Sequence, residues 1–195
     1  MTSDLLYATL FQPTLRAEAA ALTLLAEDPP LEALDNALIV LQTAAHAGLI
    51  AFTGLGKSGL LARRAAATFT SIGAPSIYLH PTDALHGDLG LLAPAWALVA
   101  LSKSGDTQEV VQLAMAADPM PVIAISEGGQ LASVAHVHVP LPVLPEAHDH
   151  PAPTVSLALQ AALCDCLAMA LASLLPNALR RFRASHPGGT LGLDA

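Results

Sequence analysis

Two short polar segments carry most of the chemistry that this chain could perform. They are Gly54-Leu55-Gly56-Lys57-Ser58-Gly59 and Ser102-Lys103-Ser104-Gly105-Asp106-Thr107. A glycine turn that opens a helix leaves backbone N–H groups free to meet an anion, and Lys57 and Ser58 add donors. The second segment sets the hydroxyls of Ser102, Ser104 and Thr107 around another helix start, a donor set suited to a phosphate monoester. Either segment alone reads as ordinary structure: a close-packing glycine turn, or an N-cap made by Ser104 or Asp106. Two such loops in one sheet point to a phosphate site.

Gly54-x-Gly56-x-x-Gly59 also matches the dinucleotide fingerprint. A nicotinamide site needs an acid about 20 residues on, at the end of the second strand. That strand ends Ile77-Tyr78-Leu79-His80, and the next acid, Asp83, lies beyond Pro81. A nucleoside triphosphate loop needs a glycine five positions before Gly56, where Ala51 stands. Both readings fail.

The elements that must hold these loops follow from hydrophobic period. The first 47 residues read as helices broken at Asp28-Pro29-Pro30, with Leu22 and Leu25, then Leu34, Leu38 and Leu41, at helical spacing. Leu49 to Thr53 is a short apolar run that predicts a buried strand. Lys57 to Ser71 predicts a helix closed by Gly73 and Pro75. Strands follow at Ser76–Leu79, Trp96–Leu101, Val122–Ile125 and about Val137–Leu141, with helices at Thr107–Ala116 and about Thr154–Leu175. A short basic turn (Arg180, Arg181, Arg183) comes after the last helix. Strands alternating with helices predict an α/β fold: a three-layer, doubly wound parallel sheet of flavodoxin-like or Rossmann-like kind, flanked by helices. Residues 1–47 are expected to pack on the core or on a partner subunit, and residues 48–195 to form the domain proper. In such sheets ligands sit beyond the carboxyl ends of the strands, where both polar loops fall.

Composition narrows the class. The 195 residues are 53% hydrophobic and only 12% charged, enough to build one sizeable core. A formal charge of −8 offers no basic field for a nucleic-acid backbone. Val155 to Leu175 has the length of a membrane span but carries Gln160 and Asp165. An aspartate there costs about 2.5–3.5 kcal/mol on insertion. A buried helix is expected, with no membrane association. The N-terminus lacks the pattern of a signal peptide. Cys164 and Cys166 sit two apart on one helix, pointing to different faces, as free thiols of a reducing cytoplasm do. The apolar surplus of the N-terminal and Val155–Leu175 helices points to a homo-oligomer. His148-Asp149-His150 reads as a solvated loop rather than a metal site, and His136 and His138 alternate on a strand without evident chemistry.

The order of motifs resembles the sugar isomerase (SIS) domain of arabinose 5-phosphate isomerases. The resemblance rests on Gly54–Gly59, Thr70-Ser-Ile-Gly-Ala-Pro75, His80-Pro81, His86-Gly-Asp-Leu-Gly90, Ser102–Thr107 and Ser185-His-Pro-Gly-Gly-Thr-Leu-Gly192, in collinear order. It implies interconversion of D-ribulose 5-phosphate and D-arabinose 5-phosphate, feeding synthesis of the acidic sugar Kdo of Gram-negative envelopes. It further implies tetramers with sites at subunit contacts, and no cofactor. By the same resemblance Lys57, His86, Glu109 and His186 are the catalytic positions, with Glu146 before Ala152-Pro153-Thr154 as a fifth. Ser58, Ser102, Ser104 and Thr107 are the phosphate hydroxyls. Gly73, Ala74, His80 and His86 line the substrate, and His80 is where an inhibitory zinc can sit.

Aldose–ketose isomerisation moves a proton between C1 and C2 through an enediol or enediolate. Glu109, one turn into a helix that starts at the phosphate, is the expected base, with Glu146 as the second candidate. Lys57 stabilises the enediolate, and His186 or His86 relays protons. The chain departs from the family at Lys103, where Asn or Gln is usual. It also has a short Val110–Met120 segment, and it stops soon after Gly192, where many relatives continue into a pair of CBS modules, so a short form without them is expected. Isomerisation of a hexulose or heptose phosphate, or phosphosugar sensing without turnover, are the alternatives.

Overall fold

A computed structural model of the chain describes residues 3–93, 95–147 and 152–188. The strands are β1 (Leu49–Gly54), β2 (Ser76–Tyr78), β3 (Ala95–Leu101), β4 (Val122–Ser126) and β5 (Val137–Pro140). All pairings are parallel, in the order β2-β1-β3-β4-β5. This is the flavodoxin-like doubly wound order, whose direction of winding reverses between β1 and β3. β1 is buried after its first residue and β4 throughout, as expected of apolar strands covered on both faces.

The helices are α1 (Ser3–Leu6), α2 (Gln12–Glu27), α3 (Leu31–Ala47), α4 (Gly56–Ser71), α5 (Pro81–Leu85), α6 (Gln108–Ala116), α7 (Gly129–Val134), α8 (Val155–Leu174) and α9 (Ala178–Ala184). A π-helical stretch, Tyr7–Phe11, joins α1 to α2. Pro29 and Pro30 separate α2 from α3, because neither can donate to a helical ladder. Strand residues alternate between two apolar clusters. Ile50, Phe52, Val99, Leu101, Ile123 and Ile125 face the layer that includes α3, α4 and α8. Ala51, Leu98, Ala100, Val122 and Ala124 face α5, α6 and α7. Ala37, Leu41 and Ala44 of α3 are fully buried, so this helix is part of the sheet's cover.

α8 explains the greasy C-terminal stretch. Among the described residues it is the helix long and apolar enough to cross a membrane, and half of that stretch is buried inside the molecule. Its Asp165 accepts from Arg64 of α4 at 2.8 Å. Cys164 lies inside, its thiol pushed up to about 12 by burial, while Cys166 is exposed. The basic segment after α8 is a helix, α9, rather than a turn. The five residues of α5 and six of α7 span less than two helical turns, too short for a period to register.

Candidate functional site

Phe52 lies opposite Val99 and Gly54 opposite Leu101, so the loops after β1 and β3 leave the sheet side by side. Between them, at the carboxyl ends of the strands, is a cavity of about 250 Å³. Leu55, Lys57 and Ser58 line it from the start of α4; Ser102, Lys103, Ser104 and Thr107 line it from the loop into α6. Pro153, Ser156 and Leu157 complete it from the start of α8. Three helix starts therefore border one polar space; those of α4 and α6 turn unpaired N–H groups and a positive dipole end toward it, while the start of α8 is capped by the Glu146 carboxylate. A larger apolar groove, about 510 Å³, lies at the amino ends of β3 and β4 beside Trp96 and Pro121, and no ionisable side chain among the described residues lines it.

The first loop is tight. A Cβ on Gly59 would stand 2.6 Å from the carbonyl oxygen of Gly54, so glycine lets the helix start against the strand end. Tyr78 donates to that same carbonyl at 3.0 Å, under the Arg63 guanidinium 4.6 Å from its ring. In the second loop Ser102 is buried, with Oγ 3.1 Å from Thr107 Oγ1 and accepting from the N–H of Gly105 at 3.2 Å. Ser104 Oγ accepts from the N–H of Asp106 at 3.2 Å. Asp106 is no cap for α6, which has no side-chain cap at all. Its carboxylate instead accepts from the N–H of Gln130 in α7. Glu127 N–H donates to the Lys103 carbonyl at 2.8 Å and Leu131 N–H to that of Gly105 at 2.9 Å. The loop after β4 thus buttresses the Ser102–Thr107 loop.

Glu146 lies behind Lys103. Its carboxylate accepts from Lys103 Nζ at 2.7 Å, from the Ser156 hydroxyl, and from the N–H groups of Thr154 at 2.7 Å and Ser156 at 3.4 Å. Burial pushes this carboxyl up, but the hydrogen bonds from Lys103, Ser156 and Thr154 outweigh it and hold it at about 2. Glu127 moves the opposite way, raised by burial against the pull of Lys103, with Glu146 adding repulsion.

The other expected positions spread over the molecule. Glu109 is half-buried in the first turn of α6, outside the cavity lining, its carboxylate with no hydrogen bond or ion pair among the described residues. His80 precedes α5 at the carboxyl end of β2, its Nδ1 3.8 Å from Asp83. His86 is exposed at the end of α5. Gly73 and Ala74 lie at the opposite, amino end of the sheet. Gly73 accepts from Arg181 at 3.1 Å and Ala74 is buried in the core. His186 stacks on Phe182 with ring centres 4.3 Å apart, in a groove of about 440 Å³ along β2 with Arg63, Thr70 and Tyr78. One chain therefore gathers Lys57, Ser58, Ser102, Ser104 and Thr107, with Glu146 behind Lys103. It does not bring Gly73, Ala74, His80, His86, Glu109 or His186 into the cavity lining. His148–His150 and Gly189–Gly192 lie outside the described residues. Ser156, Glu127 and the Asp106–Gln130 link escape sequence reading, since each acts through a partner far along the chain.

An arabinose 5-phosphate isomerase KdsD of Shigella flexneri is 38% identical over 150 residues, 74% of this chain and 46% of that protein. An arabinose 5-phosphate isomerase KpsF of Escherichia coli is 37% identical over 153 residues, 74% of this chain and 47% of that protein. The chain thus spans about half the length of the curated relatives it matches. A solved E. coli CFT073 protein in complex with arabinose 5-phosphate shares 32% identity and a TM-score of 0.85, over 96% of this chain and 100% of that one. The SIS domain model matches residues 45–170, from the end of α3 through most of α8. That span holds β1 to β5 and every residue lining the cavity, and the chain belongs to the SIS domain family.

Proposed function

We propose that this chain is an aldose–ketose isomerase that interconverts D-ribulose 5-phosphate and D-arabinose 5-phosphate. The observation that carries the reading is the convergence of two open helix N-termini, those of α4 and α6, and the hydroxyls of Ser58, Ser102, Ser104 and Thr107 on one cavity at the switch point. A phosphoryl tail docked there leaves the carbonyl end of a short sugar pointing outward, toward Lys57 and the first turn of α6. The names of the relatives support the pentose 5-phosphate as substrate. The product would then supply synthesis of an acidic envelope sugar.

In the ketose-to-aldose direction a base removes a proton from C1, giving a 1,2-enediolate. Lys57 stabilises the oxygen that gains charge. The proton returns at C2, and the O1 proton passes to O2, leaving the aldehyde at C1. Glu109 fits the base better than Glu146. A carboxylate held at about 2 by four donors has little proton affinity near neutrality, whereas Glu109 has no competing partner among the described residues. His86 and His186 lie away from the cavity within one chain, so we assign them to sites completed between copies in a homotetramer, working in the cytoplasm.

The test is incubation of the purified protein with D-ribulose 5-phosphate in deuterated water. Arabinose 5-phosphate carrying deuterium at C2 is the expected product. No conversion, with phosphosugar still bound, would leave a sensing module instead.

A further inference from the structure

The Lys103 ammonium is held by a buried carboxylate beside the cavity. Its side chain lines the cavity and is 38% exposed, while its partner Glu146 is 7% exposed. The carboxylate does not depend on Lys103 alone, because Ser156 Oγ and the N–H groups of Thr154 and Ser156 also donate to it. Lys103 can therefore turn toward the cavity without stranding an unsolvated charge. The electrostatics ask for that. Among the described residues the cavity lining holds two cations, Lys57 and Lys103, and no acid, yet Glu146 stands directly behind it and Glu127 beside Lys103. Without Lys103, one lysine and the helix N-termini face two nearby carboxylates, and the hold on a dianion weakens.

We infer that Lys103 is the determinant of phosphate charge at this site: the phosphoryl tail draws the ammonium off Glu146, and the pocket thereby selects doubly charged phosphate monoesters over singly charged diesters. The inference rests on the phosphosugar reading of the cavity, but not on turnover. Glu146 in this scheme is a parking place for the lysine and a cap for α8, and Lys103 touches substrate at its phosphate, away from the reacting carbons.

The test is calorimetric titration with inorganic phosphate at pH 8, where the dianion dominates, on wild type, Lys103→Met and Lys103→Arg. A hydrogen bond between charged partners corresponds to roughly ten- to a hundredfold in affinity. Lys103→Met should weaken phosphate binding by about that factor, and Lys103→Arg should restore most of it. With ribulose 5-phosphate, the Met variant should raise KM in parallel while keeping kcat, a split that general loosening of the fold would not give. On the wild-type protein methyl phosphate should bind and dimethyl phosphate should not, a comparison that stands even if Lys103→Met fails to fold. Equal binding of the two esters, phosphate affinity unchanged in Lys103→Met, or a fall in kcat at constant KM would each overturn the inference. Phosphate binding that depends on Lys103 in a protein without isomerase activity would sustain it and remove the isomerase reading instead.

Discussion

Asp106 Oδ1 lies 3.0 Å from the backbone nitrogen of Gln130, so the loop after β3 is fastened to the first turn of the helix after β4. The bond satisfies an N–H that α7 cannot pair internally, and it fixes the loop that presents Ser104 and Thr107. Asp106→Ala should cost about 1 kcal/mol of stability, the usual worth of a helix cap. It should also raise KM for the phosphosugar several-fold, because the hydroxyls lose their preset positions. Asp106→Asn should recover most of both. Urea denaturation and steady-state kinetics on the two variants decide it; an Ala variant with wild-type KM would separate the buttress from binding.

Gly105, in the loop after β3, has φ +81°, and a Cβ there would overlap the carbonyl oxygen of Gly128 in the loop after β4. Both the left-handed backbone and the overlap oppose a side chain. Gly105→Ala should lower unfolding free energy by about 2 kcal/mol or more. Gly56→Ala, which has φ +59° but open space around it, should cost less, about 1 kcal/mol. Equal denaturation midpoints for the two variants would contradict the close approach.

The contrast between those glycines marks what the sequence discloses. β1 and β4 are legible because burial on both faces leaves uninterrupted apolar runs, and α8 because its length is apolar nearly throughout although only half of it is buried. The switch-point loops are legible because Gly and Ser follow such runs directly. The partners are not: Glu146 meets Lys103 across 43 residues and Asp106 meets Gln130 across 24. No local period encodes those meetings, and Asp106 read locally is a cap for the wrong helix. His186 shows the same limit, since its place on Phe182 and in the groove with Tyr78 goes with Arg181 and Ser185 reaching back to Gly73 and Ser71, more than 100 residues away.

Glu146 gives a pH signature. Its carboxyl is depressed from 4.5 to about 2 in the folded chain. A depressed acid contributes stability that is complete above its unfolded value and is lost as pH falls toward its folded one. The window is therefore about pH 4.5 down to pH 2, and the full contribution is on the order of 3 kcal/mol. Glu146→Gln cannot titrate. Urea unfolding of wild type and variant at pH 7, 4 and 3 should show the wild-type advantage shrinking through that window. A gap that stays constant with pH would mean that the charge of Glu146 does not stabilise the fold.

Glu109 makes no side-chain bond among the described residues, so a base role and a structural role separate cleanly there. Glu109→Gln should unfold at the wild-type temperature and bind phosphosugar with wild-type affinity. Its kcat should fall by roughly 10²–10⁴, the range for loss of a general base. Substantial turnover in Glu109→Gln, with activity lost in Glu146→Gln at retained phosphate affinity, would transfer the base to Glu146.

The cavity lined by Lys57 and the groove that holds His186 share no lining residue within one chain. If both residues serve one reaction, they meet across copies of the chain, as a closed homo-oligomer allows. Lys57→Ala and His186→Ala should each be inactive alone. Mixed in equal amounts, unfolded and reassembled together, they should regain about one quarter of wild-type activity, because a site is intact when its lysine comes from one variant and its histidine from the other. Were both residues drawn from the same chain, every site would keep one lesion and mixing would restore nothing. Activity of the reassembled mixture against each variant reassembled alone reads the difference directly.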